Sequence, residues 1–152
     1  MHEAIARMLS KYECRGLNDY INGLREILQE VALLGLWRSK FFEKAAFYGG
    51  TALRVIYGLD RFSEDIDFSL LEPLDSFDIT RYTSFLENET KGFGFDVRIE
   101  RIDKAIQSPV QSAFLKANTR SQLLVIETEE EILQIIPKGQ VLKIKLEVDT
   151  DP

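Results

Sequence analysis

The stretch "QVLKIKLEVDTD" (140–151) constrains the fold more than any other part of the chain. It sets Leu142, Ile144, Leu146 and Val148 on one side of an extended backbone and Lys143, Lys145, Glu147 and Asp149 on the other. Side chains alternate along a strand, so this pattern describes a strand with one dry face and one wet face. A sheet built of such strands needs a cover on one side only. The N-terminal third supplies that cover. In "LNDYINGLREILQEVALLGLW" (17–37), Leu17, Tyr20, Ile21, Leu24, Ile27, Leu28, Val31 and Leu34 recur at three- and four-residue steps, with Asn18 or Asp19 as the expected cap.

Between these two anchors the chain alternates element types. "AFYGG" reads as a short strand ending in a turn, and "TALRVIYG" as a helix of about two turns, stopped by Gly58. "EDIDFSL" reads as a strand. "LDSFDITRYTSFLENETKGFG" reads as a second long amphipathic helix, with Phe77, Tyr82, Phe85 and Leu86 on its apolar side. "FDVRIERID" and "VQSAFLKAN" read as strands, while "RSQLLVIETEEEILQIIP" fits strand or helix equally. Trp37, Phe41, Phe42 and Phe47 are expected in the core, and Cys14 as a small apolar residue on a helix. The plan is α+β: a small mixed β-sheet with helices packed on one face. Residues 1–43 form an N-terminal helical segment and 44–152 the core of a single compact domain. The chain stops directly after a strand, which reads as a fragment or a first domain.

Composition narrows the function. The net charge is −6 over 152 residues, whereas a protein that grips nucleic acid over a whole face is usually basic. Any nucleic-acid role is therefore confined to a site. A single cysteine rules out an intramolecular disulfide and fits a reducing compartment. No apolar run approaches the roughly 20 residues that span a bilayer, and "MHEAIARMLSKYEC" is unlike a secretory signal. A cytoplasmic protein without membrane contact is the expectation. His2 is the only histidine, which excludes histidine-based metal sites and Ser-His-Asp triads.

The chemistry lies in "GGTALRVIYGLDRFSEDIDFSL" (49–70). Asp65 and Asp67, two apart on a strand, project from the same face about 6–7 Å from each other, while Ile66 and Phe68 enter the core. Like charges so placed repel unless a cation lies between them. Carboxylate oxygens suit Mg²⁺, which retains water and takes substrate phosphates as its remaining ligands. A third acid on a neighbouring strand, Glu147 or Asp149, would serve a second ion about 4 Å away. Gly49-Gly50 precedes a helix whose start, near Thr51, would offer free N–H groups to a phosphate. Thr51 fits either an N-cap or a phosphate ligand. Parity sets Ser63 on the face of the aspartates; Arg61 reads as structural. Lys145 shares that face and would offset the carboxylates.

These residues resemble the signature of the AbiEii/AbiGii toxin family of nucleotidyltransferases, in the DNA polymerase β-like superfamily. The likeness rests on Gly49-Gly50-Thr51-Ala52-Leu53, Arg61, Ser63, Asp65-Ile66-Asp67-Phe68 and Lys145-Leu146-Glu147-Val148-Asp149, and it extends from about Lys44 to Asp149. It implies a polymerase β-like core and transfer of a nucleoside monophosphate from an NTP to an acceptor hydroxyl. It also implies two Mg²⁺ ions, with Mn²⁺ as a substitute, held by Asp65, Asp67 and Asp149, the last preferred over Glu147. Gly49, Gly50, Thr51, Ser63 and Lys145 would bind the nucleotide. The resemblance further implies RNA, such as tRNA, as acceptor, and a cognate antitoxin that need not touch the toxin. Members continue into a helical C-terminal region that is missing from this sequence. The alternatives are a non-catalytic nucleotide-binding or protein-interaction domain, and a transferase acting on a small molecule.

Overall fold

The computed structural model describes residues 3–58, 64–102, 108–119, 121–122 and 130–152. The helices are α1 (Glu3–Leu9), α2 (Leu17–Arg38), α3 (Gly49–Tyr57), α4 (Thr83–Gly92) and α5 (Glu130–Ile135). The strands are β1 (Ala45–Tyr48), β2 (Asp65–Leu70), β3 (Arg98–Ile102), β4 (Val110–Asn118) and β5 (Val141–Asp149). They form one five-stranded sheet in the order β1-β2-β5-β4-β3. β2 and β5 run parallel, and every other pairing is antiparallel. The fold is α+β with a mixed sheet, as the alternation predicts.

The dry face carries Ile66, Phe68, Leu70, Ala113, Leu115, Ala117, Leu142, Ile144, Leu146 and Val148, all buried. Leu24, Ile27, Leu28 and Val31 of α2 and Leu86 of α4 belong to the same hydrophobic cluster, so residues 1–43 share one core with the strands. Phe41 sits at its centre, edge-on to Phe68 and Tyr82 with ring centroids 5.0 and 5.1 Å away. On the other face Asp65 is exposed and Asp67, Lys145 and Glu147 are partly exposed. Among the described residues no helix is long and apolar enough to cross a membrane.

Several local expectations are corrected. α2 is capped by neither Asn18 nor Asp19. The N-cap is Gly16, and Asp19 accepts a hydrogen bond from the Arg15 backbone N–H at 3.0 Å. The second long helix is shorter than its apolar spacing suggests. Asp78 accepts from the backbone N–H and the hydroxyl of Thr80, closing a separate 3-10 turn at Ile79–Tyr82 before α4 begins. An aspartate that bonds the backbone two residues on favours a turn over a helix interior. Trp37 is not core but 65% exposed, because Leu36 takes the inward position and its neighbour points about 100° away around the helix. Phe41 is buried, while Phe42 and Phe47 pack at the cluster's margin. Cys14 lies in the link before α2 rather than on a helix, and partial burial pushes its thiol pKa up, away from thiolate character.

Candidate active site

The register aligns the polar face into rows. Tyr48, Asp67, Glu147 and Ser112 lie directly across from one another on β1, β2, β5 and β4. Asp65, Lys145 and Phe114 form the next row to one side, and Ser69, Asp149 and Val110 the next row to the other. The acid opposite Asp67 is therefore Glu147, and Asp149 stands one row along.

α3 begins against this row. The Gly-Gly pair does not precede the helix but opens it, and Tyr48 is the N-cap residue. Gly49 has φ +88°, and a Cβ there would lie 2.8 Å from Asp67 Oδ2. Only glycine adopts that conformation cheaply and lets the helix start come so near the carboxylate. A Cβ on Gly50 would meet nothing within 4 Å. The two glycines therefore have different reasons to be there. Gly49→Ala is expected to destabilise the fold by about 1–2 kcal/mol or more, from strain alone. Gly50→Ala is expected to melt like the parent, yet to weaken triphosphate binding where a phosphate must approach the backbone. Thermal melts of both variants with and without NTP check this contrast.

Thr51 is neither the cap nor a free hydroxyl. It is 1% exposed, and its Oγ1 donates to the Asp65 carbonyl, tying the start of α3 to the start of β2. Its contribution to a ligand is limited to its backbone N–H. Farther along α3, Arg54 pairs with Glu26 of α2, and Glu26 also accepts from the Tyr12 hydroxyl at 2.7 Å. Burial, then Glu26, pushes the Tyr12 phenol pKa up, so it stays a donor. These links hold a helix whose outer residues Leu53, Ile56 and Tyr57 are exposed.

The electrostatics mark Asp67 as the strained carboxylate. Burial raises its pKa first, then the negative charges of Glu147 and Asp65, with Lys145 opposing. Lys145 Nζ lies 2.6 Å from Glu147 Oε1, and that hydrogen bond chiefly raises the lysine pKa. Lys145 thus acts chiefly on Glu147 and more weakly on Asp65 and Asp67. The Tyr48 phenol pKa is raised by partial burial and then by Asp67, Asp149 and Glu147, leaving a protonated hydroxyl near the acids. Ser112, 1% exposed and opposite Glu147, has an Oγ without a hydrogen-bond partner among the described residues.

Among the described residues no three acid, cysteine or histidine side chains form a ligand set for an ion by themselves. Mg²⁺ does not require one, since it binds through one or two carboxylates plus water and phosphate. The hard-oxygen pair Asp65 and Asp67, the raised Asp67 pKa and the orphan Ser112 hydroxyl fit such an ion with its waters. Asp65, Asp67, Gly49, Gly50 and Lys145 are brought to one place. Arg61 and Ser63 lie outside the described residues. Tyr48 and Ser112 were not legible as site residues, because only the strand register aligns them with Asp67. The one sequence signal was their polar phase in "AFY" and "VQSAF".

A family model described as nucleotidyl transferase AbiEii toxin, type IV TA system, matches residues 31–152. The chain belongs to the AbiEii family. The match begins within α2 and takes in every strand, so it contains the Gly-Gly start of α3 and the Asp-x-Asp strand that carried the resemblance. No curated protein sequence matches the chain. Two solved structures are similar. JHP933 from Helicobacter pylori has 19% identity and a TM-score of 0.48 over 84% of this chain and 43% of that one. A candidate nucleotidyltransferase from H. pylori has 21% identity and a TM-score of 0.44 over 83% of this chain and 44% of that one. This AbiEii chain thus spans less than half the length of either.

Proposed function

We propose that this AbiEii domain is a metal-dependent nucleotidyltransferase that moves a nucleoside monophosphate from an NTP to a hydroxyl of RNA, tRNA included, as the toxin of a toxin–antitoxin pair. The observation that carries the reading is the seating of the α3 start against Asp67, with Gly49 at the contact. A helix start offers unpaired N–H groups to phosphate, and here it opens beside a pair of carboxylates. Asp65 and Asp67 would hold Mg²⁺ or Mn²⁺, which when bound supplies charge to the triphosphate and eases loss of the acceptor's proton. The N–H groups of Gly49, Gly50 and Thr51 bind the phosphates. Lys145 limits the negative charge of the cluster, and the protonated Tyr48 hydroxyl donates to an oxygen at its rim. The acceptor oxygen bonds to the α-phosphorus, the bond to pyrophosphate breaks, and the hydroxyl proton leaves to solvent. The family description supports a cognate antitoxin, which need not contact the site.

The register favours Glu147 over Asp149 as the third acid, since Glu147 faces Asp67 directly. Glu147→Gln is expected to lower transfer by about 100-fold or more, the scale of losing one electrostatic group in an active site, and Asp149→Asn by less than about tenfold. The reverse ranking would return the role to Asp149. The reading as a whole is tested by incubating the chain with α-labelled NTPs, Mg²⁺ and total RNA. Label should appear on RNA with the parent and not with Asp65→Asn. Intact NTP binding without transfer would instead favour a non-catalytic nucleotide-binding domain.

A further inference from the structure

The polar face of the sheet is divided by charge. Beyond the acid rows, Arg98, Lys116 and Lys143 lie directly across from one another on β3, β4 and β5. Like charges directly opposite on a sheet are destabilising, and this chain is acidic overall, at −6. Among the described residues, Glu100 holds Lys116 Nζ at 2.7 Å. Arg98 and Lys143 are exposed. Between the cations and the acids sits Phe114, an aromatic ring on the polar face of the sheet. Lys143 Nζ lies 4.5 Å and Lys116 Nζ 5.4 Å from its centroid. Phe114 shares its row with Lys145 and Asp65. Moving along β5, the cation row is two side-chain steps from the row of Asp67 and Glu147, or about 13 Å.

We infer that Arg98, Lys116, Lys143 and Phe114 form a track for the single-stranded 3′ end of the acceptor RNA, leading its terminal hydroxyl toward Asp65 and Asp67. The inference rests on the nucleotidyl-transfer reading. Cations on a flat sheet bind the sugar-phosphate backbone, and an aromatic ring among them stacks a splayed base. A duplex keeps its bases paired and has none to offer Phe114. The track explains how an acidic protein takes a polyanionic acceptor: three cations stand side by side at the approach to the site.

The test is fluorescence anisotropy of a 5′-labelled 12-nucleotide single-stranded RNA, alongside calorimetry of Mg²⁺-NTP binding by the same proteins. The doubly exchanged Arg98→Glu/Lys143→Glu protein alters exposed side chains and is checked by its melting curve. It is expected to bind the RNA at least tenfold more weakly while binding Mg²⁺-NTP as the parent does. Loss of two phosphate contacts should reduce the log–log salt slope by about 1.4. Phe114→Ala should cost about tenfold for the single strand, by loss of one stacked base. Unchanged RNA affinity in the double variant would overturn the track, as would equally tight binding of an RNA duplex. A parent that binds Mg²⁺-NTP but not the RNA refutes the track and leaves the nucleotidyl-transfer reading standing. Binding of RNA through the track without any binding of Mg²⁺-NTP refutes that reading instead.

Discussion

Asp67→Asn will melt at a higher temperature than the parent when both are free of ligand at pH 7, and it will lose the stabilisation that Mg²⁺-NTP gives the parent. Asp67 lies between Asp65 and Glu147, its pKa raised by burial and then by those charges. An acid whose pKa is raised on folding contributes stability that is full below its unfolded value and lost as pH rises through the folded one. At neutral pH the charged Asp67 is therefore a burden on the free protein, and asparagine removes it. The gain is small, within about 1 kcal/mol for a partly exposed group, and should vanish as pH falls below the ordinary aspartate range. The loss is large. At a ligand concentration 100 times Kd, binding stabilises the parent by about 2.7 kcal/mol, and the variant should show none of it. Differential scanning fluorimetry with and without Mg²⁺-NTP, from pH 3 to 8, reads both effects. A variant less stable than the parent at pH 7 would show that Asp67 has a structural partner instead.

The second large effect is expected at Arg54. Its guanidinium and the Glu26 carboxylate are 17% and 11% exposed, and Tyr12 donates to the same carboxylate. Arg54→Ala leaves Glu26 nearly buried without its cation, which should cost about 3 kcal/mol and lower Tm by roughly 6–12 °C. Because Arg54 ties α3 to α2, the variant should also bind Mg²⁺-NTP more weakly. Replacing both partners, Glu26→Gln with Arg54→Met, should recover most of the stability, since a paired replacement strands no charge. Urea unfolding of the single and double variants decides the matter. A loss below 1 kcal/mol for Arg54→Ala would mean that water already solvates Glu26.

Much of this fold was legible because its strands alternate. "VQSAFLKAN" became β4 with the bounds the pattern suggests, "QVLKIKLEVDTD" holds β5, which runs only from Val141 to Asp149, and β2 carries Asp65 and Asp67 outward with Ile66 and Phe68 inward. The aspartate pair and the glycine pair were legible for the same reason: each is local, set by spacing along one element. What spacing could not show is which residues on different strands stand opposite each other. Parity left Glu147 and Asp149 equivalent, the family motif preferred Asp149, and the β2–β5 register sets Glu147 directly opposite Asp67. Tyr48 and Ser112 joined the row through that register as well. Trp37 was misplaced because aromatic character alone does not reveal that its neighbour Leu36 takes the inward position. The apolar spacing around Phe77 and Tyr82 overran a turn that the Asp78 side chain closes.

The central claim is that the carboxylate row and the glycine-opened start of α3 together form one metal–triphosphate site. Calorimetric titration of the chain with each of the four NTPs, in Mg²⁺ and again in EDTA, tests it most directly. The account predicts saturable binding of at least one NTP in Mg²⁺, none in EDTA, and none in either condition for Asp65→Asn. Equal affinity with and without Mg²⁺, or undiminished binding by a folded Asp65→Asn protein, would contradict it.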